Sequence, residues 1–157
     1  METTSFAEIA EEFGLRVRKH IWCSVSTVDR AGRPRSRVLH PVWDGPTGWV
    51  TTYPTSHKAK HLAAVPYVSC AYVDSMNPMY VDAKASWVED VVEKGRVWNF
   101  IKAQTPEPYG FDPGFIWKDG PGGADFGLLR LDPWRIEVYT SNPPNLPGIT
   151  IWRPANS

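Results

Sequence analysis

The segment "VTTYPTSHKAKHL", Val50 to Leu62, has the pattern of a β-strand that runs directly into an α-helix. Ser56 is suited to the N-cap of this helix, with Thr55 as the alternative. Four basic or titratable side chains follow at the helix start: His57, Lys58, Lys60 and His61. The positive end of a helix dipole disfavours cations there. The segment therefore predicts either a solvated basic surface or a site for an anion.

Lys58 is the residue best placed to bind such an anion. It falls in the first helical turn, and helix side chains lean back toward the N-terminus, where free backbone N–H groups point. His61 lies three residues on, on the same face, whereas Lys60 is expected to face solvent. Backbone donors, dipole and ammonium together favour a phosphate.

The preceding strand, "RPRSRVLHPVW" from Arg33 to Trp43, adds further cations. Its alternating faces carry Arg35, Arg37 and Leu39 on one side and Ser36, Val38 and His40 on the other. An arginine here either adds a planar, bidentate phosphate contact or belongs to the wet face of an edge strand. His40 is either a structural histidine or part of the site.

The remaining pattern consists of short strands interrupted by a few helices. A capping box of Ser5 and Glu8 predicts a first helix that ends at Gly14, and a strand over Ile21–Val28 is expected to form a hairpin with the next strand across the turn "DRAGRP". Later segments predict two strands, a helix and a final strand or strand pair: "YVSCAYVD", "MYVDAKASWVED", "EDVVEKGRVWNFIKA" and "DFGLLRLDPWRIEVYT". This order favours a mainly β (α+β) protein, a small β-barrel with peripheral helices.

Composition narrows the function classes. A chain of 157 residues predicts one domain over 1–157, and seventeen basic residues balance seventeen acidic ones. We therefore expect no nucleic-acid or membrane-surface partner. The N-terminal segment lacks the pattern of a secretory signal, and no apolar run reaches the ~20 residues of a membrane span. Cys23 and Cys70 lack metal-ligand spacing, so we expect buried reduced thiols, no metal site and a cytoplasmic location.

A long segment, Thr105 to Ala124, has little regular pattern. Loops of this length are uncommon in compact domains and are often functional lids. Its aromatic residues either cover a bound ligand or bury themselves in a core: Tyr109, Phe111, Phe115 and Trp117. The Pro-rich tail "PPNLPGITIW" packs either across a partner or around its own barrel.

The order of "RVL" (37–39), "GWVTT" (48–52) and "SHK" (56–58) resembles the pyridoxamine 5′-phosphate oxidase-like family of flavin-binding split β-barrels. The resemblance implies a six-stranded antiparallel split barrel and a homodimer with FMN at the subunit interface. It implies that Arg37 and Lys58 hold the flavin phosphate, with Ser56 and His57 in the family's Ser-Arg-Lys position. The ring and ribityl chain would contact Val38, Leu39, His40, Thr51 and Thr52, and Trp117 would approach from the partner subunit.

Two departures from that pattern concern the substrate. The family's Arg-x-His pair is absent after Trp117, where the chain reads "PGGADFGLL", and Val42 stands where the family has a basic residue. The resemblance thus implies an FMN-dependent oxidoreductase for a small molecule other than pyridoxamine phosphate, with the flavin rather than a side chain carrying the chemistry.

Two alternatives keep the fold. A deazaflavin (coenzyme F-420) reductase would use His57, Lys60 and His61 for the longer acidic tail of that cofactor. A non-catalytic protein would bind flavin or haem, with the four histidines as candidate axial ligands: His20, His40, His57 and His61.

Overall fold

The structure is a computed structural model that describes residues 1–104, 110–141 and 148–155. Nine strands of the described residues form one sheet. Their bounds are β1 Glu2–Thr3, β2 Cys23–Val28, β3 Pro34–Leu39, β4 Val42–Asp44, β5 Thr47–Thr52, β6 Tyr67–Tyr72, β7 Met79–Trp87, β8 Gly127–Thr140 and β9 Gly148–Trp152. The helices are α1 Ala10–Lys19, α2 His57–Ala64 and α3 Val91–Gln104.

Six of these strands have six residues or more and make up the predicted barrel: β2, β3, β5, β6, β7 and β8. The other three are shorter additions. Strand β9 comes from the Pro-rich tail and pairs with β8 on one side and with β1 on the other. The described part of the tail therefore packs on its own barrel, while residues 142–147 lie outside the described residues.

The strands follow a ring that a bend interrupts. The order β3-β2-β6-β7-β8 continues from β8 to β5 and from β5 to β4. Only His40 and Pro41 separate β3 from β4. Strand β3 pairs with β2, whereas β4 pairs with β5, so the chain changes its neighbouring strand at this bend. Proline has no N–H to donate, and it holds the preceding residue in an extended conformation. The sheet is accordingly a split barrel rather than a closed one, as the sequence predicted.

The predicted hairpin of β2 and β3 is confirmed, and the structure adds its register. Val25 lies opposite Arg37 and Ser24 opposite Val38. The turn between the strands requires Gly32, which has a positive φ of 77°. Since Val25 is buried, Arg37 lies on the inner face of the sheet, toward α2, and Val38 lies on the outer face.

Strand β8 spans fourteen residues as a single element. Its register against β7 shifts where Asp82 pairs with Arg135 and Ala83 with Pro133, which leaves Trp134 as the extra residue of a bulge. A proline inside a paired strand is tolerated at such a bulge, because it has no N–H to donate to the neighbouring strand.

The first helix differs from the prediction. A short 3₁₀ helix spans Phe6–Glu8, the Ser5 side chain makes no capping bond, and α1 continues past Gly14 to Lys19. The predicted capping box and helix end are therefore wrong. The helix continues because Phe13 and Arg16 are both buried against the sheet, so tertiary packing outweighs the preference of glycine for a helix end.

Two apolar clusters form the core. The first fills the barrel interior under α1 and α2 and contains Phe13, Val25, Leu62 and Leu131 among its buried residues. The second lies between β5, β8 and α3. Its buried members are Val42, Trp49, Val97, Trp98, Ile101, Trp117, Phe126 and Leu128.

Candidate functional site

Helix α2 begins as the sequence predicted. Ser56 is the N-cap, and its hydroxyl accepts from the Ala59 N–H at 3.4 Å. The Ser56 carbonyl accepts from Ala59 and Lys60. The N–H groups of His57 and Lys58 have no acceptor among the described residues. They point to the space in front of the helix and are available to a ligand.

Arg37 and Lys58 meet in front of this helix start. Both are half-buried, one at the edge strand β3 and the other in the first turn of α2. Burial and the nearby positive charge of Arg37 lower the pKa of Lys58. Burial, with a smaller contribution from Arg35, lowers the pKa of Arg37. The structure therefore brings together two cations that lie 21 positions apart in the sequence.

No acidic group among the described residues offsets these charges. The Arg37 guanidinium makes one long contact, from Nη1 to the Val25 carbonyl at 3.4 Å. Only burial and other cations perturb the pKa values of Arg37 and Lys58, and no described carboxylate affects either group. Two half-buried cations that repel each other raise the free energy of the fold. Such an arrangement becomes favourable when an anion binds between them.

Two hydroxyl groups lie beside the helix start. Thr52 at the end of β5 is buried, and its Oγ1 lies 3.5 Å from Ser56 Oγ. Thr51 is half-buried and points to the opposite face, because successive side chains of a strand alternate. Only Thr52 of the predicted threonine pair therefore shares the side of the sheet that carries Ser56. Thr51 is available to a ligand through its backbone.

The split leaves two backbone edges without strand partners among the described residues. Strand β3 pairs only with β2, so the other edge of Val38 and Leu39 is free. The β4–β5 pairing stops at Trp49, so residues 50–52 pair only with β8. Both edges lie at the bend, with α2 starting at the end of β5. Free backbone donors and acceptors there can hydrogen-bond to a planar heterocycle.

His40 occupies the bend itself. Its half-buried ring lies 5.4 Å from the Trp22 ring and 6.0 Å from the Phe111 ring, measured between centroids. Burial lowers the pKa of His40, so the imidazole is neutral at neutral pH. Of the remaining histidines, His57 and His61 lie together on α2, and His20 lies at the end of α1. His20 lies 3.4 Å from an Asp74 oxygen, and His61 Nδ1 is 2.9 Å from Thr27 Oγ1.

A second basic group lies next to the first, between α2 and the β2–β3 turn. The open groove there has a volume of about 600 Å³. Within it Arg33 pairs with Asp29 at 2.9 Å, whereas Lys60 is exposed as predicted. Its lining residues are Asp29, Arg30, Ala31, Arg33, His57, Lys60 and His61. The sequence reasoning missed Arg30 and Arg33, although two arginines in a turn that leads to Arg37 were a usable signal.

Trp117 does not lie where the resemblance suggested. Its side chain is 3 % exposed and belongs to the second apolar cluster, 5.3 Å from the Phe126 ring, and Nε1 donates to the Asp125 carbonyl at 3.0 Å. An indole buried within its own subunit cannot reach a ligand held by a partner. Phe115 behaves differently, since it is 75 % exposed. Tyr109 falls outside the described residues.

These features fit a phosphate monoester attached to a flat ring. Two cations and two free N–H groups suit phosphate oxygens, and the partial burial of the site strengthens each contact. The free strand edges continue from this point toward His40. Among the described residues, no cluster of three or more His, Cys, Asp or Glu side chains is arranged to hold a metal ion. No helix of the described part of the chain has the length and hydropathy of a membrane span.

Comparison with known proteins identifies a family and a fold. The family model described as pyridoxamine 5′-phosphate oxidase matches residues 9–139. A search of curated proteins found none that matches the sequence.

Solved structures share the fold at low sequence identity. A Clostridium acetobutylicum protein related to general stress protein 26 has a TM-score of 0.68 at 14% identity, over 90% of this chain and 93% of that one. A pyridoxamine 5′-phosphate oxidase-related, FMN-binding protein from Nostoc punctiforme has a TM-score of 0.62 at 16% identity, over 96% of this chain and 100% of that one. A structure described as an F420 reductase has a TM-score of 0.59 at 17% identity, over 78% of this chain and 93% of that one. At these identities the similarity establishes the fold alone.

Proposed function

Because this chain belongs to the pyridoxamine 5′-phosphate oxidase family, we propose that it is an FMN-dependent oxidoreductase whose cofactor phosphate lies between Arg37 and Lys58. The observation that carries the proposal is the meeting of these two half-buried cations without a carboxylate among the described residues. A phosphate would relieve their repulsion. The bound group would also accept from the free N–H groups of His57 and Lys58.

The two cations have different tasks in this site. The planar guanidinium of Arg37 can bind two phosphate oxygens at once and fix their orientation. The Lys58 ammonium acts as a compact charge next to the helix start. The Ser56 and Thr52 hydroxyls lie close enough to orient the remaining oxygen or the first hydroxyl of the ribityl chain.

The flavin ring would lie along the split. Three residues of extended strand span about 10 Å, so the distance from Arg37 to His40 matches the reach of a ribityl chain. The backbones of Val38, Leu39 and Thr51 would then contact the ring edge, with His40 at its far end. When bound, FMN supplies hydride or electron transfer, so no side-chain nucleophile is required. Trp117 has no place in this proposal, because its indole is buried in its own subunit.

The substrate would be a small molecule other than pyridoxamine phosphate. Val42 is 7 % exposed and packs in the second apolar cluster, where the family has a basic residue. The Arg-x-His pair is absent from the sequence after Trp117. A phosphorylated pyridine substrate would therefore lack both of the basic contacts that the family provides.

The outer face of the sheet supports a homodimer with the cofactor at its interface. Val38 is 67 % exposed and Tyr67 is 51 % exposed on this face. Small side chains lie between them on β2, β3 and β6: Ser24, Ser26, Ser36, Ser69 and Ala71. A flat surface of small residues with apolar groups at its edge suits a second copy of the chain, and Val38 connects it to the cofactor edge.

A cytoplasmic location is part of the same proposal. Cys23 and Cys70 are both free and buried, on neighbouring strands. Free thiols are typical of proteins from reducing compartments.

The second candidate is a deazaflavin reductase, and the groove between α2 and the β2–β3 turn favours it. That groove adds Arg30, His57 and Lys60 beyond the phosphate site. An acidic tail attached to the phosphate would enter it and meet several cations. FMN lacks such a tail and would leave the groove to solvent.

The first experiment is an absorbance spectrum of the purified protein with mass spectrometry of any released cofactor, followed by titration of the cofactor-free protein. Riboflavin is the matched probe for FMN, because it has the same ring and no phosphate. We expect FMN to bind at least tenfold more tightly than riboflavin, and Arg37→Met to reduce the difference. Equal affinity for both would refute the phosphate site. A deazaflavin mass, with affinity lost in Lys60→Met, would select the second candidate.

A further inference from the structure

A separate cavity of about 260 Å³ lies on the opposite side of the bend from α2, beneath α1. Its walls come from α1, the β3–β4 bend and the last turn of α3. Most of the lining residues are apolar, three polar side chains lie among them, and polar atoms contribute about half of the exposed surface of the wall. The residues that matter are Phe13, Val17 and Trp43 among the apolar ones and Arg18, His40 and Gln104 among the polar ones.

Arg18 is the unusual residue of this wall. The neighbouring basic residues of α1 are paired, Arg16 with Glu12 at 3.2 Å and Lys19 with Asp74 at 3.0 Å. No carboxylate of the described residues lies within ion-pairing distance of Arg18, and no acidic residue lines the cavity. The Arg18 side chain is exposed, and its guanidinium lies at the mouth of the cavity, where it is available to an anion.

Gly14 explains how Arg18 reaches the cavity. A Cβ at Gly14 would lie 3.1 Å from Arg18 Nη1, closer than ordinary van der Waals contact. The guanidinium therefore rests on the bare backbone one turn before it, and both residues line the cavity. With a Cβ at this position the guanidinium would have to shift by a few tenths of an ångström.

His40 supplies the second polar group. Its ring is half-buried, and it packs against Trp22 and Phe111. Burial favours the neutral imidazole, which adds hydrogen-bonding capacity and no further charge. The cavity thus has one permanent cation at its exposed mouth, a neutral polar group at the bend and aromatic walls between them.

Phe13 and Trp43 contact each other edge to face, with ring centroids 5.2 Å apart, and together with Val17 they form one apolar side of the cavity. We propose that this cavity binds a small aromatic carboxylic acid, with its ring against this apolar side and its carboxylate on Arg18. A cavity of about 150 Å³ lined by apolar side chains already admits benzene, so this one has room for one ring with its acid group. Because His40 lies at the bend where the flavin ring would end, such acids would be the class of small molecule presented to the cofactor. The role of these acids as substrates rests on the proposed function, whereas their binding to the cavity does not.

The test is calorimetric titration with benzoate and with benzamide, its neutral counterpart of nearly equal shape. We expect benzoate to bind at least fivefold more tightly, and Arg18→Met to abolish that preference. Lys19→Met is the matched control, since it removes the same charge one residue away and outside the cavity. Gly14→Ala is a second variant, whose added methyl group should displace the guanidinium and weaken benzoate binding.

Several results would overturn the inference: no benzoate binding, equal affinity for the two probes, or the same loss in Lys19→Met as in Arg18→Met. The titrations are run on protein with and without FMN, and flavin affinity is measured separately. Flavin binding without benzoate binding refutes the cavity proposal alone. Benzoate binding without flavin binding refutes the proposed function and leaves the cavity proposal standing.

Discussion

Replacing Lys58 by methionine should weaken FMN binding and stabilise the cofactor-free protein at the same time. Methionine keeps most of the apolar stem and removes only the charge. A charge-assisted contact to phosphate is worth about 1.5–3 kcal/mol, which corresponds to a loss of about tenfold to a hundredfold in affinity. Because Lys58 is half-buried, we expect a value at the lower end.

The stability change should have the opposite sign. Burial and Arg37 lower the pKa of Lys58 in the folded protein, so the folded state disfavours the charged form. The resulting destabilisation is fully present below the lowered pKa, and it is relieved as pH rises through that value toward the ordinary pKa of lysine. At neutral pH the methionine variant lacks this penalty. Its free energy of unfolding without cofactor should therefore equal or exceed that of the parent protein.

Two measurements check the argument: fluorescence titration with FMN, and urea unfolding of the cofactor-free protein. Lys60→Met is the control, because it removes the same charge from the exposed side of α2. The reasoning is refuted if both variants lose FMN affinity equally, or if Lys58→Met destabilises the cofactor-free protein. A double-mutant cycle with Arg37→Met should show that the two cations are coupled in phosphate binding.

Four further substitutions test the surroundings of the site by urea unfolding. Trp117→Ala should destabilise the fold by about 3–5 kcal/mol, while Phe115→Ala, at an exposed ring, should change it by less than about 0.5 kcal/mol; equal effects would contradict the burial of the indole. Tyr72→Phe should cost about 1–2 kcal/mol, because the Trp43 Nε1 donor, now 2.6 Å from the hydroxyl, loses its acceptor. His40→Phe should make stability less sensitive to acid. Burial makes the pKa of His40 lower in the folded protein than in the unfolded one, so unfolding takes up a proton and the free energy of unfolding decreases as pH falls below about 6.5. An unchanged pH dependence in His40→Phe would contradict this.

Parts of the site were predictable because they depend on local rules. The N-cap at Ser56 follows from residue type and spacing, and the inward position of Arg37 follows from strand alternation once Val25 is buried opposite it. The proximity of Arg37 and Lys58 did not follow from any local rule. It depends on the order of strands in the sheet, and the resemblance to a known family supplied that order.

The errors arose where a distant contact outweighed a local preference. Gly14 has the local signal of a helix end, but the burial of Phe13 and Arg16 outweighs it, and the helix continues. Trp117 lies in a segment whose composition suits a lid as well as a core. Its burial is decided by Phe126 and the Asp125 carbonyl, which pack on it from a later part of the chain.

The bend at His40 and Pro41 explains why both proposed sites lie at the same end of β3. Proline cannot continue the β3 ladder, so the chain leaves β2 and joins β5, and the edges of β3 and β5 remain unpaired. Those edges and the start of α2 form the proposed cofactor site on one side of the bend. On the other side α1 forms one wall of the cavity, with Arg18 at its open mouth. A ring placed along the split would therefore meet the cavity at His40, so cofactor and small molecule can come into contact without any rearrangement of the described strands.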